Sequence, residues 1–245
     1  MSLSRPILAL LLCFAVSLAG CSTLETDAPA DGHYHTQSPS SDGIGKLYYG
    51  REISDVMGHR GAAWLERPSR ELDERPDAAA AALDLRPTDT VADIGAGSGY
   101  ISFLLAPYVP QGKILAVDIQ PEMLARLEAA RDQRQIENVE TVLGTPDDPH
   151  LPADSVDLAV MVDAYHEFAY PREMMAGIVH ALKPGGRVVL AEYRAENPLI
   201  LIKRHHKMSE QQVKRELTAA GLVWEKTDER LPQQHLVFFR KPGGG

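Results

Sequence analysis

The run Val91-Ala92-Asp93-Ile94-Gly95-Ala96-Gly97-Ser98-Gly99-Tyr100 constrains this chain more than any other stretch. An apolar segment carrying one acid passes into three glycines at alternating positions, and residues 101–109 beyond them are apolar with helical spacing. A buried strand, a tight glycine turn and a helix, in that order, form the nucleotide-binding βα unit. Positive φ and missing Cβ atoms there let a ligand lie against the backbone at the helix N-terminus. The G-x-G-x-G spacing brings the third glycine one residue earlier than the dinucleotide pattern G-x-G-x-x-G, which argues against an oxidoreductase on a related fold.

A second βα unit follows. Residues 113–117 read as a strand ending in Asp118-Ile119, and Pro121 opens a helix over 122–134. Asp118 stands 21 residues after Gly97, near the ~20 expected of an acid that accepts hydrogen bonds from two ribose hydroxyls. Residues 138–143 read as a third strand, followed by Gly144-Thr145-Pro146-Asp147-Asp148. The apolar run 156–162 suits a central parallel strand buried on both faces. At its carboxyl end stands Asp163-Ala164-Tyr165-His166-Glu167-Phe168, where open α/β sheets bind ligands. Pro171 then starts a helix with Met174, Ile178, Ala181 and Leu182 on one face, read as core packing. Leu182-Lys183-Pro184-Gly185-Gly186 turns into a strand over 187–192, from whose end Glu192, Tyr193 and Arg194 emerge. Ser209 with Gln212 reads as a capping box opening a helix over 210–220, with Gly221 as its stop. Residues 222–225 and 236–240 read as an antiparallel edge pair.

Asp93 two residues ahead of the glycine turn, Asp118 and the Lys183-Pro184-Gly185-Gly186 segment together resemble class I S-adenosylmethionine-dependent methyltransferases, over about residues 70–240. The resemblance implies a Rossmann-like α/β fold: a seven-stranded, mainly parallel sheet with helices on both faces. It implies S-adenosylmethionine as cofactor. Asp93, Gly95, Gly97 and Gly99 then hold its methionine part, Asp118 with Ile119 the ribose, and Asp147 (Asp148 second) the adenine, with Asp163 at the methyl end. A cationic sulfonium and ammonium suit acids at strand ends better than bare amide donors would. The hexapeptide at 163–168 lacks the N/D-P-P-Y signature of enzymes that methylate base amines or glutamine amides. His166 is a candidate general base with Glu167 orienting it and Tyr165 beside it, or else a hydrogen-bonded wall residue. In this family the segment before the first strand often caps the substrate, which makes Met57, His59, Trp64 and Arg67 pocket candidates along with Tyr193; Trp64 could equally pack the cap onto the core. The resemblance calls for no metal, and the sequence shows no compact ligand cluster; His33 and His35 read as solvated.

Ahead of the domain, one positive charge and the apolar run 6–18 read as an export signal; at ~1.5 Å per residue a helix there reaches roughly 20 Å, short of a ~30 Å bilayer core. Leu18-Ala19-Gly20-Cys21 resembles the bacterial lipobox, which implies a lipidated Cys21 and a domain anchored to the membrane, facing the periplasm, with Ser22 favouring the outer membrane. The expected organisation is therefore a signal peptide over 1–20, a disordered tether over 21–45, a helical cap over 46–86 and the catalytic domain over 87–242. Within the cap, Tyr49, Ile53, Val56 and Met57 have helical spacing, and residues 76–85 are strongly helix-favouring. The net charge of −9 argues against a nucleic-acid partner and leaves a small molecule as the expected substrate. The one dense basic run, Lys203-Arg204-His205-His206-Lys207, either attracts an anion or is a solvated loop. A non-catalytic lipoprotein that keeps the fold as a binding module is the alternative function, and an enzyme using another adenosyl ligand a more distant one.

Overall fold

The computed structural model describes residues 33–243. The export signal, Cys21 and the first part of the expected tether lie outside the described residues. No described helix is long and apolar enough to cross a membrane.

The described chain begins with a small antiparallel sheet of β1 (Tyr34–Thr36), β2 (Gly43–Tyr48) and β3 (Arg51–Ser54). This corrects two expectations: residues 34–36 and 43–45 are strand rather than tether, and in place of the helix expected from Tyr49 onward come a turn, the strand β3 and a loop. The reason is the turn at Tyr49-Gly50, whose φ values of 48° and 84° are both left-handed. Two such residues make the tight hairpin turn that matches strand twist. Tyr-Gly lacks the usual Asn-Gly signature, and the spacing of Tyr49, Ile53, Val56 and Met57 imitated a helix. Tyr34, Tyr48 and Ile53 bury a core of their own.

The helical part of the cap follows as α1 (Ala62–Leu65), α2 (Arg70–Asp73) and α3 (Pro76–Ala82), the last with proline in its first turn. Then come β4 (Thr90–Ile94), α4 (Tyr100–Leu105), β5 (Lys113–Asp118), α5 (Pro121–Arg134) and β6 (Val139–Leu143). The second half contains β7 (Val156–Val162), α6 (Pro171–Ala181), β8 (Leu182–Tyr193), α7 (Glu210–Ala219), β9 (Val223–Asp228) and β10 (Gln234–Arg240). Ser209 caps α7 by accepting from the Gln212 amide at 3.1 Å. Gln212 does not complete the reciprocal box; its side chain donates to Glu216 Oε1 at 2.7 Å.

The main sheet has seven strands in the order β6-β5-β4-β7-β8-β10-β9. β10 runs antiparallel to both β8 and β9, and the other pairings are parallel. Apolar clusters cover both faces, which is why β7 is buried along most of its length. Strand order reverses between β4 and β7: β5 and β6 lie to one side, β8 and β10 to the other. A crevice opens at such a switch point because the loops leaving the two strands diverge. The small sheet and α1–α2 roof that crevice. Arg51 of β3 holds the roof down: its guanidinium donates to both carboxylate oxygens of Glu216 at 2.9 Å and to the His166 carbonyl at 3.0 Å.

Candidate active site

The β4–α4 turn forms the floor. Gly95 and Gly97 have left-handed φ values of 79° and 54°. A Cβ at Gly95 would stand 2.6 Å from Ala164 Cβ, and one at Gly97 2.6 Å from Leu65 Cδ1 of the cap. Both glycines line a cleft of about 200 Å³ together with Asp118, Ile119, Asp163 and Glu167. Gly99 does not; an added Cβ there would meet Leu127 and Phe103, so this glycine serves helix packing.

The acids divide by position. Asp93, expected at the cofactor, lies beneath the turn, where its Oδ2 accepts from Ser102 Oγ at 2.6 Å. Burial pushes its carboxyl up to about 6, the Ser102 bond opposing the shift. Residues on a strand alternate faces, and this one points into the layer of α4 rather than into the cleft. Asp118 ends β5 and lines the cleft. Its Oδ2 accepts from the Gly97 amide and its Oδ1 from the Gln120 amide, both at 2.8 Å. Burial raises its pKa and these amides pull it back. Asp147, expected at the adenine, does not line the cleft; its Oδ1 accepts from Thr145 Oγ1 at 2.8 Å on an exposed loop. Asp148 instead caps the next turn by accepting from the His150 amide. Pro146 is the residue of this loop that reaches the cleft.

Asp163 ends β7 with a left-handed φ of 50°, uncommon outside glycine. Its Oδ2 accepts from Gln234 Nε2 at 2.8 Å, while its Oδ1 is buried without a hydrogen-bond partner among the described residues. Burial, with Glu74 and Glu192 nearby, holds its pKa well above the carboxylate range.

Beyond Asp163 the cleft opens into a second cavity of about 500 Å³. The two share Val56, Met57, Leu65, Asp163 and Glu167. Trp64, Arg67 and Tyr193 line the larger chamber. His59 lines neither cavity; its backbone amide donates to Gln120 Oε1 at 2.8 Å while Gln120 Nε2 donates to the Met57 carbonyl at 3.0 Å, so this stretch is fastened to the end of β5 through its main chain. Tyr193 hydroxyl donates to Glu74 Oε1 at 2.7 Å and accepts from Arg67 Nη2 at 3.0 Å. Arg67 also pairs with Glu74, and Arg70 Nε donates to Glu74 Oε2 at 2.7 Å.

His166 is 2 % exposed and lies in the short turn after β7. Its Nδ1 stands 2.7 Å from Glu192 Oε2, an arrangement that places the proton on Nδ1 and leaves Nε2 for the chamber. Burial disfavours the charged ring, Glu192 outweighs it, and the net shift is upward. Glu167 Oε1 approaches Nε2 only to 3.8 Å; the orienting carboxylate is Glu192, not Glu167. Tyr165 is fully buried, lines neither cavity, and has its phenol pKa raised far by burial, so the structure removes it from the catalytic set. His206, from the basic run, reaches back to His166: its Nδ1 lies 3.1 Å from His166 Nε2 and 3.5 Å from Glu167 Oε1. The expectation of no compact ligand cluster is thereby corrected; 40 residues separate the two histidines, and only the fold joins them. Glu74, Arg70, Glu192 and His206 are the site residues that sequence reasoning missed. The one available signal was for Glu192, which sits at a strand's carboxyl end.

A family model described as a methyltransferase domain matches residues 92–188. An uncharacterized methyltransferase, YcgJ of Bacillus subtilis, is 30% identical over 118 residues, 48% of this chain and 46% of that protein. An arsenite methyltransferase of Halobacterium salinarum is 29% identical over 175 residues, 70% of this chain and 42% of the relative. The chain thus spans under half the length of these curated relatives. A crystal structure of a SAM-dependent methyltransferase from Aquifex aeolicus superimposes with a TM-score of 0.72 at 23% identity, covering 76% of this chain and all of the other. The [4+2]-cyclase SpnF gives a TM-score of 0.61 at 16% identity, covering 69% and 80%. Strand order, the reversed β10 and these likenesses together identify the architecture as the Rossmann-like methyltransferase fold.

Proposed function

We propose that the chain is an S-adenosylmethionine-dependent methyltransferase acting on a small molecule. Fold alone does not decide the reaction, since a [4+2]-cyclase shares it. The acids of the cleft carry the reading: Asp118, Asp163 and Glu167 line it, and among the described residues no lysine or arginine does. A dinucleotide pyrophosphate would meet three acids and no cation there, whereas a ligand with a sulfonium and an ammonium would offset the burial that raises Asp118 and Asp163. The cleft fits such a ligand. Gly95 and Gly97 bring bare, left-handed backbone to the cleft wall, packed too close to Ala164 and Leu65 for any Cβ, and Asp163 Oδ1 is buried with no hydrogen-bond partner among the described residues.

When bound, S-adenosylmethionine supplies an electrophilic methyl group. The protein's own contribution is position. Asp118 spends one lone pair per oxygen on backbone amides and keeps others for hydroxyls. Asp163 and Glu167 stand at the junction of cleft and chamber, so they would flank a cofactor held in the cleft, and Trp64, Arg67 and Tyr193 would hold an acceptor in the chamber. His166, held by Glu192, turns Nε2 toward the chamber, where it meets His206 Nδ1 at 3.1 Å. Calorimetry with S-adenosylmethionine, its demethylated product and NAD tests the reading: the first two bind and NAD does not. Tight NAD binding would overturn it; tight binding without methyl transfer to any of a broad acceptor panel would favour the binding-module alternative.

The proposal extends to location. The export-signal pattern over 1–20 and the lipobox-like end at Cys21 support a lipidated domain on the periplasmic face of a bacterial membrane, the outer one by the identity of Ser22. Two or more acyl chains at ~0.8 kcal/mol per buried methylene anchor a protein stably. Cell fractionation should place the native protein in the membrane pellet, and Cys21→Ser should release it or leave the signal uncleaved. A soluble protein retaining Met1 would sink this part alone.

A further inference from the structure

We propose that His166, Glu167 and His206 form a binding site for a divalent transition-metal ion in the floor of the larger chamber. The three candidate ligand atoms, His166 Nε2, His206 Nδ1 and Glu167 Oε1, lie 3.1, 3.5 and 3.8 Å from one another. The circle through them has a radius of about 2.0 Å, which equals a Zn–N or Zn–O bond length. An ion near its centre therefore reaches all three with only a small adjustment of side chains. Tetrahedral ligands at that bond length stand roughly 3.3–3.4 Å apart, and the observed separations bracket this value.

Two nitrogens aimed at each other beside a carboxylate need a shared proton or a cation between them. In the metal-free protein a proton can serve, and a divalent ion serves better because it engages the carboxylate as well. A second feature points the same way. Glu192 holds the far nitrogen of His166 at 2.7 Å, and is itself fully buried. A carboxylate on the back of an imidazole fixes its tautomer and raises its basicity, the usual outer partner of a metal-bound histidine. The ring's orientation is thus fixed with Nε2 toward the chamber. A third lies elsewhere in the chamber lining, where the buried Asp163 Oδ1 has no partner among the described residues. The cations nearest by have carboxylate partners of their own: Arg67 and Arg70 are both engaged with Glu74, and Lys203 with Asp42.

Two histidines and one carboxylate leave coordination positions open, as in catalytic rather than structural sites. All three ligands line the chamber, so the open positions face its occupant, which fits an acceptor that binds the ion through oxygen. That placement of an acceptor rests on the methyltransferase reading; the ion site itself does not.

The test uses the full chain freed of metal by chelation and dialysis. Zn2+ titrated by calorimetry should bind one ion per chain with micromolar or tighter affinity, and Co2+ should give the visible absorption of a four- or five-coordinate site. His206→Ala and Glu167→Gln should each weaken Zn2+ at least about 100-fold, and Glu192→Gln roughly 10–100-fold through the loss of the outer partner. His205→Ala, one residue away and facing Glu52 at 3.4 Å, should leave binding unchanged. S-adenosylmethionine affinity and the melting temperature, measured on the same variants, report whether the fold and the neighbouring cleft are intact. Absence of stoichiometric Zn2+ binding by the wild type, or equal binding by wild type and His206→Ala, overturns the ion site. Zn2+ binding without S-adenosylmethionine binding would leave the site standing and defeat the methyltransferase reading.

Discussion

The cleft and the chamber meet at Asp163 and Glu167 but are built in different ways. The cleft is assembled from strand ends and the turns that directly follow them: Gly95 and Gly97 after β4, Asp118 to Gln120 after β5, Asp163 and Ala164 after β7. Each contributor is placed by its own βα unit, and the parallel sheet brings the units together. The chamber draws on Trp64 to Glu74 of the cap, His166 after β7, Tyr193 after β8 and His206 of the loop beyond. Its pieces are held by side-chain ties across the fold, such as Arg51 to Glu216 and Tyr193 to Glu74. A site placed by backbone units changes one ligand contact at a time under mutation; a site placed by side-chain ties loses its shape when one tie goes.

The largest effect should come from the tie that holds the roof. Arg51 is a mostly buried cation against a fully buried Glu216. Removing one partner of such a pair leaves an uncompensated charge, at about 3–5 kcal/mol. Arg51→Met should lower unfolding free energy by that amount. Hydrogen exchange should accelerate far more in 43–54 than in β4. Equal acceleration in both would show that roof and floor form one cooperative unit and would erase the distinction drawn above.

Next is the acid under the floor. Asp93 has a pKa of about 6 in the folded protein, above its unfolded value of about 3.9. The folded state therefore holds the proton more tightly, and stability falls as pH rises from about 4 to 6. Two pKa units at 1.36 kcal/mol each come to about 3 kcal/mol above that window. Asp93→Asn keeps an oxygen acceptor for Ser102 and removes the buried charge. It should raise unfolding free energy by up to about 3 kcal/mol at pH 7.5 and by little at pH 4, as denaturant titrations at the two pH values can show. A gain independent of pH would mean that the buried charge is not its source.

These two residues also mark where sequence reading stops. The seven-stranded sheet, the glycine turn and Asp118 were legible because each depends on neighbours within one βα unit. Asp93 was assigned to the ligand because its spacing from Gly95 is right, yet strand alternation sends the side chain under the turn to Ser102. Asp147 was placed at the adenine by chain order, but the loop after β6 folds so that its carboxylate meets Thr145. The β2–β3 hairpin was hidden because a Tyr49-Gly50 turn carries no familiar signature and a few apolar residues happened to fall at helical spacing. His206 and Glu192 gave no sign of meeting His166, since pattern along a chain says nothing of contacts 26 and 40 residues apart.

On the cleft side, Asp118→Ala removes a charged acceptor whose hydrogen bonds are worth roughly 1.5–3 kcal/mol each. S-adenosylmethionine affinity should fall at least about tenfold by calorimetry, while Zn2+ affinity at the His166 cluster stays put. Unchanged cofactor affinity would remove Asp118 from the site. A loss of both ligands together would mean that Asp118 acts by holding the Gly97 and Gln120 amides in place, and that the floor too depends on side-chain ties.

The smallest effect is expected at Tyr193, where the chamber's side-chain ties are most redundant. Glu74 is held by Arg67 and Arg70 as well as by the Tyr193 hydroxyl. Tyr193→Phe therefore strips one donor from an acid that keeps two cationic partners, so the loss lies at or below the low end of the roughly 1.5–3 kcal/mol of a hydrogen bond to a charged group. Burial, with Asp163 and Glu74 close by, holds the phenol pKa far above its ordinary value, so the hydroxyl is a proton donor throughout the working range and not a base. Two outcomes follow for Tyr193→Phe. Unfolding free energy should drop by about 1 kcal/mol, and the pH profile of methyl transfer to any acceptor identified should keep its shape. A profile that shifts or loses a limb would place Tyr193 among the proton-handling groups and move the chemistry from the His166 side of the chamber to the Glu74 side.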